Sequence, residues 1–432
     1  MRMAAALTAL SLLFFAAGVN GVDLGLPGFI TGKRIGLILL TAAMVMVPLK
    51  RASIPRPARY APWVLAAIGV WGLISLLISP GDFGLGLGLV TAWILTAYAT
   101  LAFALIFSWI IPDQKRFFVT CMVVSGALVP MAAVALLFRH GGLDIFFQLI
   151  PLRMALDSLE SGMSRFLNGL FFLSFLPFAA VLGTVRVPRW LYCLSLAGMG
   201  AFLALALTSG SRQTVGAIAA YLLTLFLIGT LLDRYSMMEK TITGKRKWLM
   251  TVFSLAAFTV VLRVIFQQED LEANIHRRFI EKTDQQFNEG QIRLEISKIA
   301  WNTVADHPVF GVGPGVFPML PENYTEYSPH NGYIGTMVEY GFPALAAFLA
   351  LIASALITAW KKRNDAYVRG NGDIFKATLS FCVIFAIWTI NFNDLAREYF
   401  FWASLTLMIV SRFKPDLQKP EGVNQCPTRF SA

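Results

Sequence analysis

Long apolar runs recur along this sequence, separated by charged residues, proline or glycine. Most are roughly 16–25 residues long, the length that an α-helix needs to cross about 30 Å of hydrocarbon. Charged residues make up only 14% of the chain, whereas they approach about a quarter of soluble proteins. The prediction is an all-α integral membrane protein with about 12 transmembrane helices. The runs lie at about 4–19, 35–49, 61–79, 84–111, 117–138, 166–184, 190–208, 213–231, 248–267, 330–360, 374–391 and 398–411.

The positive charges predict how these helices are oriented. With the N-terminus inside, 23 of the 36 Lys and Arg residues fall on the cytoplasmic side, as the positive-inside rule requires. Both termini are then cytoplasmic. The chain divides into transmembrane helices 1–9 (1–267), a large outer loop with helices (268–329), helices 10–12 (330–412) and a cytoplasmic tail (413–432). A cleaved signal peptide over residues 1–19 is the alternative for the first run.

Composition also argues against several other kinds of chemistry. The net charge of +11 fits loops that face an anionic membrane surface, and no basic and aromatic stripe suggests nucleic-acid binding. The four cysteines form no C-x-x-C pair, and no histidine stands near them at metal-ligand spacing. We therefore expect neither a disulfide framework nor a protein zinc site.

The outer loop is the largest polar region. Residues 291–306 have a helical period with an apolar side, and this helix should stop at His307–Pro308. The glycine-rich run Gly311–Gly315 follows; it could be an anion-binding nest or a tight turn, and the turn is favoured because Pro314 lacks an N–H. A second outer segment, 139–165, has the mixed character of an interfacial helix.

Two arginines on the outer side are candidates for anion binding. Arg212 stands between two closely spaced apolar runs, so its guanidinium should lie near the outer headgroups. Arg293 projects from the start of the outer helix, one face away from Trp301. A guanidinium fork suits bidentate capture of phosphate oxygens. The alternatives are contact with lipid phosphate for Arg212, and a solvated surface residue neutralised by nearby glutamates for Arg293.

His330 is the candidate for proton transfer. It stands where the polar loop re-enters the membrane, near a helix N-terminus whose partial positive charge keeps the imidazole neutral, as a general base requires. A capping or hydrogen-bonded histidine is the alternative. Glu339 lies nine residues further on, which is about 13.5 Å deeper and on the opposite side of an ideal helix. It therefore cannot orient His330. The Gly341–Phe342–Pro343 break behind it predicts a short half-helix, and we expect Glu339 to pair with a neighbouring span or with freed backbone.

These motifs together resemble the O-antigen ligase and polymerase family of bacterial glycan-assembly enzymes. The resemblance is carried by Ser211–Arg212, Arg293–Leu294 before Trp301, the run 307–315, and the segments His330–Tyr333 and Glu339–Gly341. It is clearest over residues 205–345. It implies the architecture of a GT-C-like membrane glycosyltransferase, in the bacterial inner membrane, with its active site on the periplasmic side.

The resemblance also implies a reaction. A glycan is moved from undecaprenyl diphosphate to a hydroxyl of lipid A–core, with inversion, without metal or other cofactor. Arg212 and Arg293 would hold the diphosphate, and His330 would take the acceptor proton. The predicted partners are the lipid-linked glycan donor, the lipid A–core acceptor and membrane lipid, with a monomeric protein and no nucleic acid. Further substrate-binding residues are expected on the same side: Arg165, Asn168, Asn331, Tyr333, Glu339 and Gly313.

Three other functions stay open. Within glycan assembly, the chain could be a polymerase of O-antigen or exopolysaccharide repeat units, or a ligase that moves glycans onto protein Ser or Thr. From a different class, a secondary transporter also has about twelve spans and broken helices. Transporters favour internal repeats and polar groups near the midplane, whereas the notable groups here gather at one face.

Overall fold

The computed structural model describes helical and loop segments spread over the whole chain. The described residues are 2–18, 32–48, 54–79, 83–110, 117–124, 126, 212–235, 283–324, 328–329, 331–368, 372–387 and 399–411, with short helical pieces between 172 and 202. All regular elements in these segments are helices, as the apolar runs predict.

The longer helices follow the predicted apolar runs closely. In chain order they are α1 (Arg2–Gly18), α2 (Gly32–Val45), α3 (Arg56–Ile78), α4 (Phe83–Ile110), α5 (Arg212–Tyr235), α6 (Thr283–Asp306), α7 (Gly332–Lys361), α8 (Arg363–Val368), α9 (Gly372–Ile387) and α10 (Tyr399–Val410). A short 3-10 helix, Phe317–Met319, lies between α6 and α7.

Two elements differ from the sequence-based expectation. Helix α6 begins at Thr283, eight residues before the predicted start, because a polar stretch with little apolar periodicity continues the same helix. The short helix α8 lies in a segment that was predicted to be only a charged loop. The predicted end of α6 is confirmed at Asp306, directly before His307–Pro308. The predicted run 248–267 and the outer segment 139–165 lie outside the described residues.

Three of the described helices are long and apolar enough to cross a membrane: Ala58–Ile78, Gly84–Ile110 and Gly332–Lys361. Helix α3 shows how they are exposed. Trp63, Val70 and Leu77 on one side are exposed, whereas Leu65 and Ile68 on the other side are buried against the bundle. An apolar side chain facing outward from a long apolar helix is suited to lipid, so this chain is a helical membrane protein.

Helices α3, α4 and α7 pack together and place the outer segments at one end of the bundle. α3 packs against both α4 and α7. The last turns of α3 and the first turns of α4 lie against the glycine-rich run that follows α6. Arg56 and Arg59, and the series Lys361–Arg363, lie at the opposite ends of α3 and α7. The helix ends that the charge rule assigns to the outer face therefore meet one another.

A small apolar cluster at that end joins α6 to the beginning of α7. The cluster is distinct from the main core, and Ile299, Leu320, Ile334 and Leu345 pack against its edge. Its buried members are Ile296, Ala300, Val304, Val312, Val316, Phe317, Met337 and Val338. We call it the outer cluster. Ile292, expected on the apolar side of α6, is exposed, so the buried stripe begins one turn later.

Candidate functional site

Helix α7 begins directly after His330, as the sequence predicts. Asn331 is the N-cap, and its side-chain oxygen accepts hydrogen bonds from the N–H groups of Tyr333 at 2.9 Å and Ile334 at 3.1 Å. These bonds satisfy two of the amide groups that a helix start leaves without a partner. His330 itself lies outside the described residues, but the cap fixes where the helix after it begins.

Tyr333 ties the start of α7 to another helix. Its hydroxyl donates a hydrogen bond of 2.7 Å to the carbonyl of Ala386, near the end of α9. Its ring also lies near the ring of Phe348, with centroids 6.1 Å apart. Substrate contact by Asn331 and Tyr333 stays a prediction, and the contacts described here anchor the helix that carries them.

Helix α7 breaks at Gly341, and the break confirms the predicted half-helix. Gly341 has φ 81° and ψ 175°, a backbone region that essentially only glycine occupies. Pro343 follows and supplies no N–H. The first part of α7, residues 332–340, is therefore a short helix with its own direction. We call it the half-helix.

The carbonyls freed at this break are satisfied by residues 308–313, which we call the strap. The N–H of Val312 donates to the carbonyl of Val338 at 2.9 Å, and the N–H of Gly313 donates to that of Glu339 at 3.2 Å. In the other direction, the N–H of Phe342 donates to the carbonyl of Pro308 at 2.9 Å. The strap thus pairs with the broken helix much as one strand pairs with another.

The glycine-rich run therefore has the geometry of a packed turn. Gly311, Gly313 and Gly315 all have positive φ, which L side chains rarely adopt. The N–H of Gly311 donates to His307, and those of Val312 and Gly313 donate to the half-helix. These three N–H groups are committed to carbonyls, so the turn that the sequence favoured fits better than an anion nest. Gly313, predicted to bind substrate, is buried and has this packing role.

Arg293 lies on α6 one turn before the outer cluster. It is exposed, and it precedes buried Ile296 by three residues and buried Ala300 by seven. At 100° per residue these positions share one side of the helix. Arg293 is therefore on the side of α6 that packs on α7, at the point where that side becomes open.

Glu295 does not share the side of α6 that carries Arg293. Residues two apart on a helix do not face each other, and the Glu295 carboxylate accepts a hydrogen bond of 2.5 Å from the hydroxyl of Tyr324. This hydrogen bond raises the pKa of Tyr324 above its ordinary value. The Glu295 carboxylate is therefore directed towards Tyr324, and the alternative of a surface Arg293 neutralised by nearby glutamates stays open. Glu289 lies one turn before Arg293 on the same side.

The other predicted site residues are described only in part. Arg212 is the first residue of α5, so it lies at a helix N-terminus. Glu339 is half-buried in the last turn of the half-helix, and its backbone carbonyl accepts from the strap. Arg165 and Asn168 lie outside the described residues.

The sequence did not single out Trp71 and Ser75 on α3. The indole N–H of Trp71 donates to the carbonyl of Tyr340 at 2.9 Å. The Ser75 hydroxyl lies 2.5 Å from the carbonyl of Phe310 and 3.3 Å from that of Glu339. The one signal in the sequence is their four-residue spacing, which places two hydrogen-bond donors on one side of an apolar run.

A comparison with protein families gives the same assignment as the motifs. Residues 197–349 match the family model described as O-Antigen ligase. This segment is therefore similar to an O-antigen ligase domain. A search of curated proteins gave no match.

The segment that matches the family model contains the arginine and histidine candidates together. It spans Arg212, Arg293 and His330, the strap and the half-helix, whereas Arg165 and Trp71 lie outside it. The family covers ligases and polymerases, which are membrane glycosyltransferase-like enzymes acting on lipid-linked glycans. In the part of the chain that the structure describes, no three His, Cys, Asp or Glu side chains are grouped to hold a metal ion. A reaction without metal stays a prediction.

Proposed function

We propose that this chain is an O-antigen ligase that moves a glycan from undecaprenyl diphosphate to a hydroxyl of lipid A–core. The reaction takes place at the periplasmic face of the bacterial inner membrane. The observation that carries the proposal is the shared packing of α6 and the half-helix in the outer cluster. Ile296 is one turn after Arg293 on α6, and Ile334 lies in the first turn of the half-helix, whose N-cap Asn331 directly follows His330 in the sequence.

The proposed step is a direct displacement at the anomeric carbon. The acceptor oxygen forms a bond to that carbon as the bond to the diphosphate oxygen breaks, and the diphosphate leaves with the electron pair. His330 takes the proton from the acceptor hydroxyl, which is worth roughly 10² to 10⁴ in rate. Attack from the side opposite the leaving group inverts the anomeric configuration.

Arg212 and Arg293 hold the diphosphate in this proposal. Charge develops on the leaving group as the glycosidic bond breaks, and a preorganised donor in such a site contributes about 2.7–4 kcal/mol to the transition state. Arg212 begins α5, so an anion that it binds also lies near the positive end of a helix dipole. Arg165, Asn168, Asn331, Tyr333 and Glu339 are proposed as further substrate contacts.

The packing supports the proposed orientation in the membrane. Tyr333 at the start of α7 meets Ala386 near the end of α9, and the strap meets Ser75 near the end of α3. In the topology predicted from the Lys and Arg residues, each of these helix ends lies on the outer side of the membrane. These contacts support a proposed site at the end of the bundle away from the basic ends of α3 and α7.

Transfer by the purified protein tests the proposal. The protein in detergent is mixed with a glycan on undecaprenyl diphosphate and, separately, with lipid A–core, with the same lipid-linked glycan as acceptor, or with a Ser/Thr peptide. Glycan on lipid A–core with release of undecaprenyl diphosphate is expected. Elongation of the carrier-bound glycan would indicate a polymerase, and glycosylated peptide a protein ligase. Donor transport into vesicles without transfer to any acceptor would indicate a transporter.

A further inference from the structure

We infer that Trp71 and Ser75 are positioning residues for the proposed site, although they lie far outside the segment that matches the family model. They hold the break in α7 and thereby set the direction of the half-helix that follows His330. The inference rests on the proposed function, and it adds to the proposed site two residues of α3 that lie outside the matched segment 197–349.

The half-helix needs donors from outside α7 because its own are lost at the break. The Val338 carbonyl would normally accept from Phe342, but that N–H donates to Pro308. The Glu339 carbonyl would normally accept from residue 343, which is proline and has no N–H. Buried carbonyls without a donor are costly, so the groups that replace these donors fix where the half-helix ends.

Helix α3 supplies Trp71 as a replacement donor and also holds the strap through Ser75. Trp71 donates to the carbonyl of Tyr340 and stacks on the ring of Phe310 in the strap, with centroids 4.8 Å apart and planes 14° apart. The Ser75 hydroxyl lies within hydrogen-bond distance of the Phe310 and Glu339 carbonyls. The side chain of one residue therefore contacts both the strap and the half-helix.

Glycines allow α3 and α4 to approach this closely. A Cβ atom on Gly72 would overlap the ring of Tyr340. A Cβ atom on Gly86 of α4 would lie 2.8 Å from the carbonyl oxygen of Pro314, just after the strap. The break and the strap are thus packed against the backbone of two helices from the N-terminal part of the chain.

Two anchors define the direction of the half-helix. Tyr333 is bound to α9 at its beginning, and Tyr340 is bound to Trp71 at its end. The two residues are about 10.5 Å apart along an ideal helix. If the Tyr340 end of the half-helix shifts sideways by about 2 Å, the helix axis therefore turns by about 10°. A catalytic group must be held within about 10–20° of its productive orientation, so this turn is large enough to matter.

Conservative variants of α3 test the inference in the full-length protein. Trp71→Phe keeps a ring on Phe310 and removes the N–H, and Ser75→Ala removes the hydroxyl. Ser75→Thr restores a hydroxyl, and Trp63→Phe is the matched control, because Trp63 is 73% exposed and lies about two turns before Trp71 on α3. The measurements are kcat, the KM for lipid A–core, and the stoichiometry of undecaprenyl-diphosphate-glycan binding.

The expected result is a loss of kcat per bound donor with unchanged binding stoichiometry. Trp71→Phe and Ser75→Ala should each lower kcat at least 5-fold, and the double variant at least 20-fold. Ser75→Thr and Trp63→Phe should stay within 2-fold of the parent. The inference is overturned if the double variant also stays within 2-fold, if kcat falls only in proportion to bound donor, or if Ser75→Thr is as impaired as Ser75→Ala.

The two proposals fail in different ways. Absence of glycan transfer by the parent protein would remove the proposed function and the inference with it, whereas retained transfer by His330→Ala would remove His330 as the base. Loss of transfer in His330→Ala together with normal transfer in Trp71→Phe and Ser75→Ala would leave the proposed function standing and overturn the inference alone.

Discussion

Gly341 lies so close to Val309 that a Cβ atom on the glycine would overlap the carbonyl of Val309. This approach brings the strap against the broken helix and allows the N–H of Phe342 to donate to the neighbouring carbonyl of Pro308. The close contact and the positive φ of Gly341 have the same consequence: the position requires a residue without a side chain.

Gly341→Ala should therefore be strongly destabilising. The substitution combines a strained backbone with a collision against backbone atoms, which have little freedom to move. Gly335→Ala is the matched control in the half-helix, because the nearest atom to its Cβ would be 3.8 Å away, and alanine favours a helix by about 1 kcal/mol over glycine. In thermal unfolding experiments in detergent, the melting temperature should decrease strongly for Gly341→Ala and stay the same or rise slightly for Gly335→Ala. Equal melting temperatures for the two variants would contradict the described break.

Cysteine accessibility should distinguish the two ends of the bundle. Asn302 on α6 and Asn364 on α8 are exposed, and the proposed topology places them on opposite sides of the membrane. In a background without the native cysteines, Asn302→Cys should react with a membrane-impermeant maleimide once the outer membrane is permeabilised. Asn364→Cys should react only after the inner membrane is ruptured. The reverse pattern would overturn the proposed orientation.

Replacing the arginines by lysine should remove most of the transfer activity. Arg212→Lys and Arg293→Lys keep a positive charge and lose the planar fork that binds two phosphate oxygens together. We expect each to lower kcat/KM by at least 10-fold with normal expression. Lys298→Ala is the control on α6, since Lys298 is also exposed and lies about 140° round the helix from Arg293. Near-normal transfer by both lysine variants would mean that the diphosphate is bound elsewhere.

The two histidines of the outer segment should behave differently. His330→Ala should abolish transfer and keep donor binding, because the arginines bind the diphosphate. His307→Ala should be tolerated, because His307 is exposed. Its backbone N–H donates to the carbonyl of Thr303 and its carbonyl accepts from the N–H of Gly311, and alanine keeps both bonds. Separate measurements of donor binding and glycan transfer check this prediction. Loss of donor binding in His330→Ala would reassign His330 to the diphosphate, and retained transfer would remove it as the base.

The sequence alone determined where most of the described helices begin and end. Apolar runs bounded by charge predict α3, α4 and α7, because a bilayer requires long apolar helices with internally satisfied backbone. Single residues also predicted local features correctly: α6 ends before Pro308, and α7 breaks at Gly341, next to Pro343. The start of α6 was missed, since a polar helix outside the membrane has no such apolar signal.

Only the tertiary structure decided which groups meet at the break in α7. Freed carbonyls require donors, but that requirement does not say which residues supply them, and Trp71 is 269 residues away from Tyr340 along the chain. The side of α6 on which Arg293 lies relative to α7 was likewise set by the packing of Ile296 and Ala300 in the outer cluster. Periodicity gives each helix a face, whereas contacts between distant segments decide what that face touches.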